Sequence, residues 1–372
     1  MKAKKKKLPF IDKLFLFINI PFSAALLLSY LAPVVNPSTF WLIAFFGLAY
    51  PFLLLANIIL AIYWLLRLNT WILLPVICIA IGWNVLTGNI GFRAASDDIA
   101  RPPGANVIRV MTYNVHDFKR YGFHNDLPTK IAMLQIISQQ QPDIIGFQEY
   151  YTRFRGQYAI TDSIKKIMQT PYVDILRLAD SNKDQDVGMA IFSKFPIVSS
   201  GVIALSAGGD ENQCIYVDVK KNNKMFRFYS IHLQSIDFEP QDYKYIDSVS
   251  SKAKTDMSST KRLVSKLKNA FVKRSEQVKK IKDLAAKCPY PYIISGDFND
   301  TPASFAVNQM AKGLKNAFRE KGSGFGKTYN GDFPNFQIDY IMASPQFDVA
   351  SYKIIEKKLS DHYGVRSDVV LK

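Results

Sequence analysis

The sequence predicts an α/β sandwich carried behind an apolar, membrane-embedded front end, and three observations predict it. Apolar residues run almost unbroken from Phe10 to about Ile90. Beyond residue 107, short β-branched stretches alternate with helical spacing and then with further strands, the pattern of packed sheet and helix layers. Polar side chains close those strands one after another, at Asn114, Glu149, His232, Asp297 and Asn299, so one rim of the sandwich gathers them.

At 372 residues the chain has room for one large domain and a second part. Of the net charge of +16, the first hundred residues hold eight basic side chains against three acidic ones, leaving about +11 for the remainder. A basic surface of that size attracts the phosphates of nucleic acid or anionic lipid and says nothing about fold. The three cysteines, Cys78, Cys214 and Cys288, exclude a disulfide framework and a cysteine zinc site. Cys214 and Cys288 either pair in an extracytoplasmic domain or stay as buried free thiols.

Breaks at Asn36-Pro37-Ser38 and at residues 67–70 divide the apolar region into three expected transmembrane helices, 13–35, 40–66 and 71–90. A hydrocarbon core of ~30 Å needs roughly 20 helical residues. Pro21, Pro51 and Pro75 are tolerated in such helices, and Trp41, Tyr63, Trp64 and Trp71 fall near their ends, where interfacial aromatics belong. The apolar sequence continues past the first segment, which argues against a cleaved signal peptide. No ionisable residue lies deep in a segment, which argues against transport. The lysines at 2–7 and Lys13 belong in the cytoplasm, with Arg67 in a cytoplasmic loop. Three crossings then leave a multi-pass protein of the bacterial inner membrane with its large domain outside. The expected organisation is an anchor at 1–95, a linker at 96–106 containing Arg101-Pro102-Pro103-Gly104, and a catalytic domain at 107–372.

Within that domain, 107–113 reads as a strand ending at Asn114-Val115-His116-Asp117, 130–140 as a helix, and 143–147 as a buried strand leading to Glu149. Glu149 is either a strand-end carboxylate or the first-turn residue of a following helix. Helical spacing returns at 162–169, and 187–193 is a strand. Strands at 215–219 and 225–231 flank a polar hairpin turn at 220–224, and the second ends at His232, either a settled turn residue or a catalyst. Residues 252–287 carry twelve Lys or Arg against Asp256, Glu276 and Asp283. They read as amphipathic helix with a basic outer face, either solvated or in contact with nucleic acid or anionic lipid. The apolar run to Ile294 then meets Gly296 and presents Asp297 and Asn299 two residues apart, as a phosphate site or as a cap for the next helix. The glycines between 322 and 326 make a flexible loop that matches no phosphate cradle. Asp339 lies inside an apolar strand and needs a partner, which Asp361-His362 supplies.

Carboxylates and amides without thiolate suit Mg²⁺, or Mn²⁺, held by few protein ligands with water and phosphate, and two histidines can work on protons near neutral pH. Metal-assisted attack of water on phosphorus is the chemistry this set supports. The stretches TYNVH, GFQE, VGMAIFSKFPI, IHLQS, ISGDFND, TYN, QIDYIM and SDHYGV, in this order, resemble the endonuclease/exonuclease/phosphatase superfamily over residues 107–372. The resemblance implies a four-layer α/β sandwich with two packed sheets. It also implies Glu149 as main metal ligand, helped by Asn114 and Asp361, with Asp297 and Asn299 orienting water and phosphate. By the same resemblance Asp339 fixes the tautomer of His362, which acts as base or phosphate contact, and His232 stabilises charge or aids the leaving group. His116 and the long basic segment depart from a minimal member, as does the anchor. The expected function is a membrane-anchored Mg²⁺-dependent phosphoesterase, in the first instance a phosphodiesterase of DNA, RNA or a phospholipid headgroup. A catalytically silent binding or scaffold protein is the alternative.

Overall fold

The computed structural model describes residues 9–96, 98–102, 105–120, 126–178, 181–206, 212–252, 255–331 and 336–372. The lysine cluster at 2–7 and Asp97, Pro103 and Gly104 of the expected linker lie outside them.

The front end begins with α1 (Phe10–Ser29), a single helix long and apolar enough to cross a membrane. The other two expected spans are not single helices. The short α2 (Pro37–Phe40) precedes α3 (Leu42–Leu48) and α4 (Tyr50–Leu66), which meet at a 61° bend. A second bend of 67° at Gly82 separates the helical stretch containing α5 (Leu73–Ile81) from α6 (Trp83–Asn89). Each pair is a broken span or a re-entrant segment by its geometry, a distinction that apolar composition does not encode. Trp64, expected at an interface, is fully buried among the helices.

Polar contacts knit this bundle. Ser23 Oγ lies 2.9 Å from Asn57 Oδ1 on α4 and 3.2 Å from Asn19 Oδ1. Nearer the start of α1, Asp12 accepts from Arg67 Nε at 3.0 Å and from the Tyr63 hydroxyl at 2.7 Å. Such bonds hold helices together where apolar burial gives little preference between neighbours.

Among the described residues twelve strands follow. In chain order they are β1 (Val107–Asn114), β2 (Ile144–Arg153), β3 (Tyr172–Arg177), β4 (Gln185–Ser193), β5 (Ile197–Ala204) and β6 (Gln213–Lys221). Then come β7 (Lys224–His232), β8 (Tyr292–Asp297), β9 (Lys315–Asn316), β10 (Asp339–Ala343), β11 (Phe347–Ile355) and β12 (Gly364–Leu371). They make two six-stranded sheets, ordered β11-β12-β1-β2-β4-β3 and β5-β6-β7-β8-β10-β9. Ile108, Val110 and Ile191 of one sheet meet Val217, Phe228 and Ile293 of the other in a shared core. The outer face of the first sheet is covered by α7 (Leu127–Gln140) and α8 (Ile160–Met168). Between β7 and β8 run α9 (Pro240–Lys252) and α10 (Met257–Ala285), and α10 with α11 (Phe305–Ala311) covers the second sheet. A short α12 (Ala317–Lys321) packs on the β11 side. Two packed sheets flanked by helices agree with the expected sandwich.

Several details differ from the sequence reading. The β6–β7 hairpin turns on Asn222 and Asn223 alone, with φ of 48° and 62°, the left-handed pair that matches strand twist. Cys78, Cys214 and Cys288 are all free thiols, Cys288 only half-buried. The basic stretch is not a uniformly solvated face, since Arg274 is buried on α10 in line with Phe271, Val278 and Ile281.

The front end packs directly on the sandwich. Gly47 sits so close that a Cβ would stand 3.1 Å from the Ala303 carbonyl oxygen and 2.5 Å from Ala32 Cβ. Gln309 donates to the Pro33 carbonyl at 3.0 Å, and the Phe45 and Phe271 rings meet edge-on at 5.4 Å.

Candidate active site

Both sheets contain one parallel pair, β1 with β2 and β7 with β8, and the carboxyl ends of β1, β7 and β8 converge on a bulge inside β2, where Glu149 sits four residues short of the end of β2, not at a strand end as the sequence suggested. Asn114, Glu149, His232 and Asp297 therefore reach one cleft, as the ends of parallel strands commonly do. Glu149 belongs to β2, not to a helix, and its φ of 50° falls where the β2–β4 register shifts between Phe147 and Tyr150. That bulge re-aims the side chain out of the ladder. On β8, Gly296 has φ of 142°, and a Cβ there would lie 2.0 Å from the Ile231 carbonyl oxygen. Only glycine lets β8 approach β7 closely enough to set Asp297 beside His232.

Asn114 is fully buried and donates through Nδ2 to Glu149 Oε1 at 2.9 Å and to Asp297 Oδ2 at 3.2 Å. Asp297 Oδ1 accepts the Asn299 backbone N–H at 2.7 Å, and Asn299 Nδ2 donates to the Leu233 carbonyl at 3.0 Å. The carboxylate thus closes its own turn, and the expected helix cap is instead Ser304, which accepts from Val307 N. Asp339 stands directly across the β8–β10 ladder from Asp297. Its partner is His362, whose Nδ1 lies 3.0 Å from Asp339 Oδ2, while His362 Nε2 is 3.6 Å from Asp297 Oδ2. His232 Nε2 lies 3.6 Å from Asp297 Oδ2 and 3.9 Å from Glu149 Oε1. Asp361 lines the same cleft, with Ser360 Oγ at 3.1 Å from its Oδ1. All eight expected residues are thereby brought together around a cavity of about 210 Å³, Asn114 and Asp339 from just behind its wall.

Electrostatics divide the carboxylates. Burial works to raise the Glu149 pKa, but the hydrogen bond from His116, the charges of His232 and His116 and the Asn114 amide hold it at about 2. Asp297 is pushed above the ordinary carboxylate value, by burial first, with His362 opposing, Asp339 adding to the rise and His232 opposing. Burial acts to discharge His362, yet the negative charges of Asp339, Asp297 and Asp361 carry its pKa well above 6.5.

Three participants escaped the sequence reading. His116, two residues beyond Asn114, places Nδ1 3.0 Å from Glu149 Oε2, and that bond raises its pKa to about 9. Arg274 is buried at the cleft, donating to the Gln234 carbonyl at 2.7 Å with Asp300 at 3.5 Å. Its spacing of three residues from Phe271 and four to Val278 was the available signal, because that spacing marks the apolar face. The third is an apolar wall of Leu48, Phe271 and Phe336, assembled from three distant segments.

Four carboxylates and an amide meet here, and among the described residues no lysine or arginine forms an ion pair with Glu149, Asp297 or Asp339. Asp297, Asp339 and, when its imidazole is neutral, His362 place three possible ligand atoms within 4.8 Å of one another. Oxygen-rich donors balanced only by imidazoles fit a hard divalent cation.

Among curated proteins nothing matches the chain. Residues 12–89 match a model described as a domain of unknown function. Among solved structures, an endonuclease/exonuclease/phosphatase family protein from Leptotrichia buccalis is 17% identical with a TM-score of 0.49, covering 70% of this chain and 99% of its own. Humanized D. rerio TDP2 is 14% identical with a TM-score of 0.50, covering 71% and 99%. The mannosyl-6-phosphatase of Bacteroides thetaiotaomicron is 17% identical with a TM-score of 0.47, covering 71% and 100%. The model of the endonuclease/exonuclease/phosphatase family matches residues 111–362, well over half of the chain and inclusive of all eight site residues. The chain therefore belongs to the endonuclease/exonuclease/phosphatase family, whose members are hydrolases acting on phosphate esters.

Proposed function

We propose that the protein is a membrane-anchored, Mg²⁺- or Mn²⁺-dependent phosphoesterase, acting in the first instance on phosphodiesters. The observation that carries this reading is the cluster of carboxylates and imidazoles, with no lysine or arginine among the described residues paired to Glu149, Asp297 or Asp339, gathered where β1, β2, β7 and β8 converge. Glu149 is the main metal ligand: each of its oxygens accepts one hydrogen bond and keeps a second lone pair. Asp361 completes the metal-facing side, and Asn114, expected there as a ligand, instead holds Glu149 and Asp297 in place through its Nδ2 while its Oδ1 accepts the His116 N–H. When bound, the cation supplies Lewis-acid polarisation of a phosphoryl oxygen. Asp297, with Asn299, orients the water that attacks phosphorus as the ester P–O bond opens. His362, kept protonated by Asp339 and its neighbours, donates to a phosphate oxygen, and His232 steadies charge on the leaving side.

The anchoring rests on surface chemistry. Phe10, Phe17, Phe52, Ile62, Leu66 and Ile81 are each more than half exposed on the front end, an apolar belt unsuited to water. The ion pair of Asp12 with Arg67 ties the start of α1 to the end of α4, while Pro33 and Gly47 touch the sandwich. The helices thus run alternately away from and towards the catalytic domain, which suits three crossings by α1, by α4 and by the α5–α6 stretch, with α3 lying against the sandwich. A cytoplasmic N-terminus places the catalytic domain outside the cytoplasm with three crossings, and equally with one.

The test is turnover of bis(p-nitrophenyl) phosphate and of p-nitrophenyl phosphate by the full chain in detergent, with and without Mg²⁺ or Mn²⁺. His362→Ala is expected to lower the metal-dependent rate roughly a hundredfold or more with the fold intact. No metal-dependent turnover of either ester, or full activity in the variant, contradicts the reading.

A further inference from the structure

The mouth of the cleft is not built by the sandwich alone. Leu48, the last residue of α3, lines the same cavity as Glu149, His232 and His362, although it precedes the catalytic region by some sixty residues. It is joined there by Phe238, Leu267 and Phe271 from the β7–α10 segment and by Phe336 before β10. The cavity lining therefore joins a charged, hydrogen-bonding set to an aliphatic and aromatic one. The apolar set does not end at the cavity. The Phe336 ring stands 6.5 Å from the ring of Phe52 on α4, and Phe52 is itself 56% exposed on the apolar belt of the front end. Beside it, Phe45 closes on Phe271 at 5.4 Å, so α3 and α10 form one wall. The bend of 61° between α3 and α4 is what brings Leu48 to the cleft while leaving Phe52 on the outer surface. A soluble, polar phosphate ester has no use for such a strip, and apolar surface left open beside a polar site marks a place where an amphiphile binds.

We propose that the substrate is an amphiphile, a phosphate ester bearing a hydrocarbon chain. Its phosphate lies at Glu149, Asp297 and His362, and its chain lies along Leu48, Phe271 and Phe336 towards Phe52 and the membrane. The inference rests on the phosphoesterase and membrane readings above and adds that the front end forms part of the substrate site. The reaction is unchanged: water adds to phosphorus, the P–O bond to the leaving group breaks, and the alcohol departs with a proton while the chain-bearing phosphate remains.

The test uses the full chain in detergent micelles and p-nitrophenyl alkyl phosphates with methyl, butyl, octyl and dodecyl chains, followed by nitrophenolate release. A fully buried methylene is worth about fourfold in binding, and a half-open wall a fraction of that. The expected result is a kcat/KM that rises about tenfold from methyl to octyl. In Leu48→Glu the octyl-to-methyl ratio collapses towards one, and in Leu48→Ala it falls to an intermediate value. Near-UV circular dichroism of both variants reports whether the fold is kept. Two results overturn the inference and leave the phosphoesterase reading standing. One is a flat series in the native chain; the other is a rise that a folded Leu48→Glu variant retains in full, which assigns the trend to partition into micelles. Absence of metal-dependent turnover with every ester, methyl included, overturns both readings together. Vesicles of phosphatidylglycerol or phosphatidylcholine, offered beside the corresponding water-soluble glycerophosphodiesters, then distinguish a bilayer lipid from a free headgroup as the source of the phosphate. Equal or faster hydrolysis of the chain-free esters counts against the inference.

Discussion

The two ends of β1 treat buried charge in opposite ways. Near its start, Arg109 meets Asp368 of β12 through bonds of 2.6 and 3.0 Å, and Ser351 adds a third to the same carboxylate at 2.9 Å. Opposite charges cancel there, and the pair serves the sheet. At its finish, Asn114 holds Glu149 and Asp297 together, with Asp339 across the next ladder, and among the described residues it is the imidazoles of His116, His232 and His362, not a lysine or arginine ion pair, that stand against them. The same strand thus carries a finished ion pair at one end and an unfinished charge cluster at the other. Stability concentrates at the first, and chemistry concentrates at the second, because titratable groups crowded at a cleft and shifted from their ordinary pKa values are the ones a ligand can engage.

That contrast can be broken by substitution. Asp368→Ala strands the buried guanidinium of Arg109, and a loss of about 3–5 kcal/mol in unfolding free energy is expected from chemical denaturation. Asp297→Asn removes one of the crowded carboxylates, so unfolding free energy is expected to hold or rise while metal-dependent turnover falls roughly a hundredfold. Equal destabilisation by the two changes erases the distinction.

A smaller effect sharpens it at a third place. Asp242 bridges α9 to α10 through Arg262 and Lys266 at 2.7 and 2.8 Å. Burial acts to raise its pKa, but Lys266, the Glu239 backbone and Arg262 hold it at about 2, below the 3.8 of a free carboxylate. The stabilisation is therefore complete above pH about 4 and is lost as pH falls through about 2. Asp242→Asn is expected to be less stable than the native chain at pH 7 and to converge with it near pH 2, as read from denaturation midpoints. A difference that stays constant across that range contradicts the assignment.

Much of the site was legible in the sequence because each motif joins an apolar run to a polar terminus. An alternating strand must end where its pattern ends, so Asn114, His232 and Asp297 could be placed at a rim before any tertiary contact was known. That Asp339 needs a partner followed from the cost of a lone buried carboxylate, and the family resemblance implied His362 as that partner. Other features depend on three-dimensional proximity. Composition registers that 40–66 is apolar, but the bend beside Ala49 changes direction without changing composition. Leu48 reached the cleft only through that bend. Arg274 was read as one of many surface charges, although its place in the 271, 274, 278, 281 series put it on the buried face. His116 stood in plain view, but its bond to Glu149 required the left-handed turn at residues 116–118, a conformation that its own residue types do not announce.

A divalent cation at Glu149 would complete the cluster at the end of β1. Calorimetric titration of Mn²⁺ into the full chain in detergent tests it most directly, beside Glu149→Gln, which keeps the size and shape of the side chain. Saturable binding to the native chain is expected, with an affinity in Glu149→Gln weaker by more than the roughly 10–100-fold that loss of a group behind a ligand costs. Identical isotherms for the two proteins, or no binding to the native chain, contradict it.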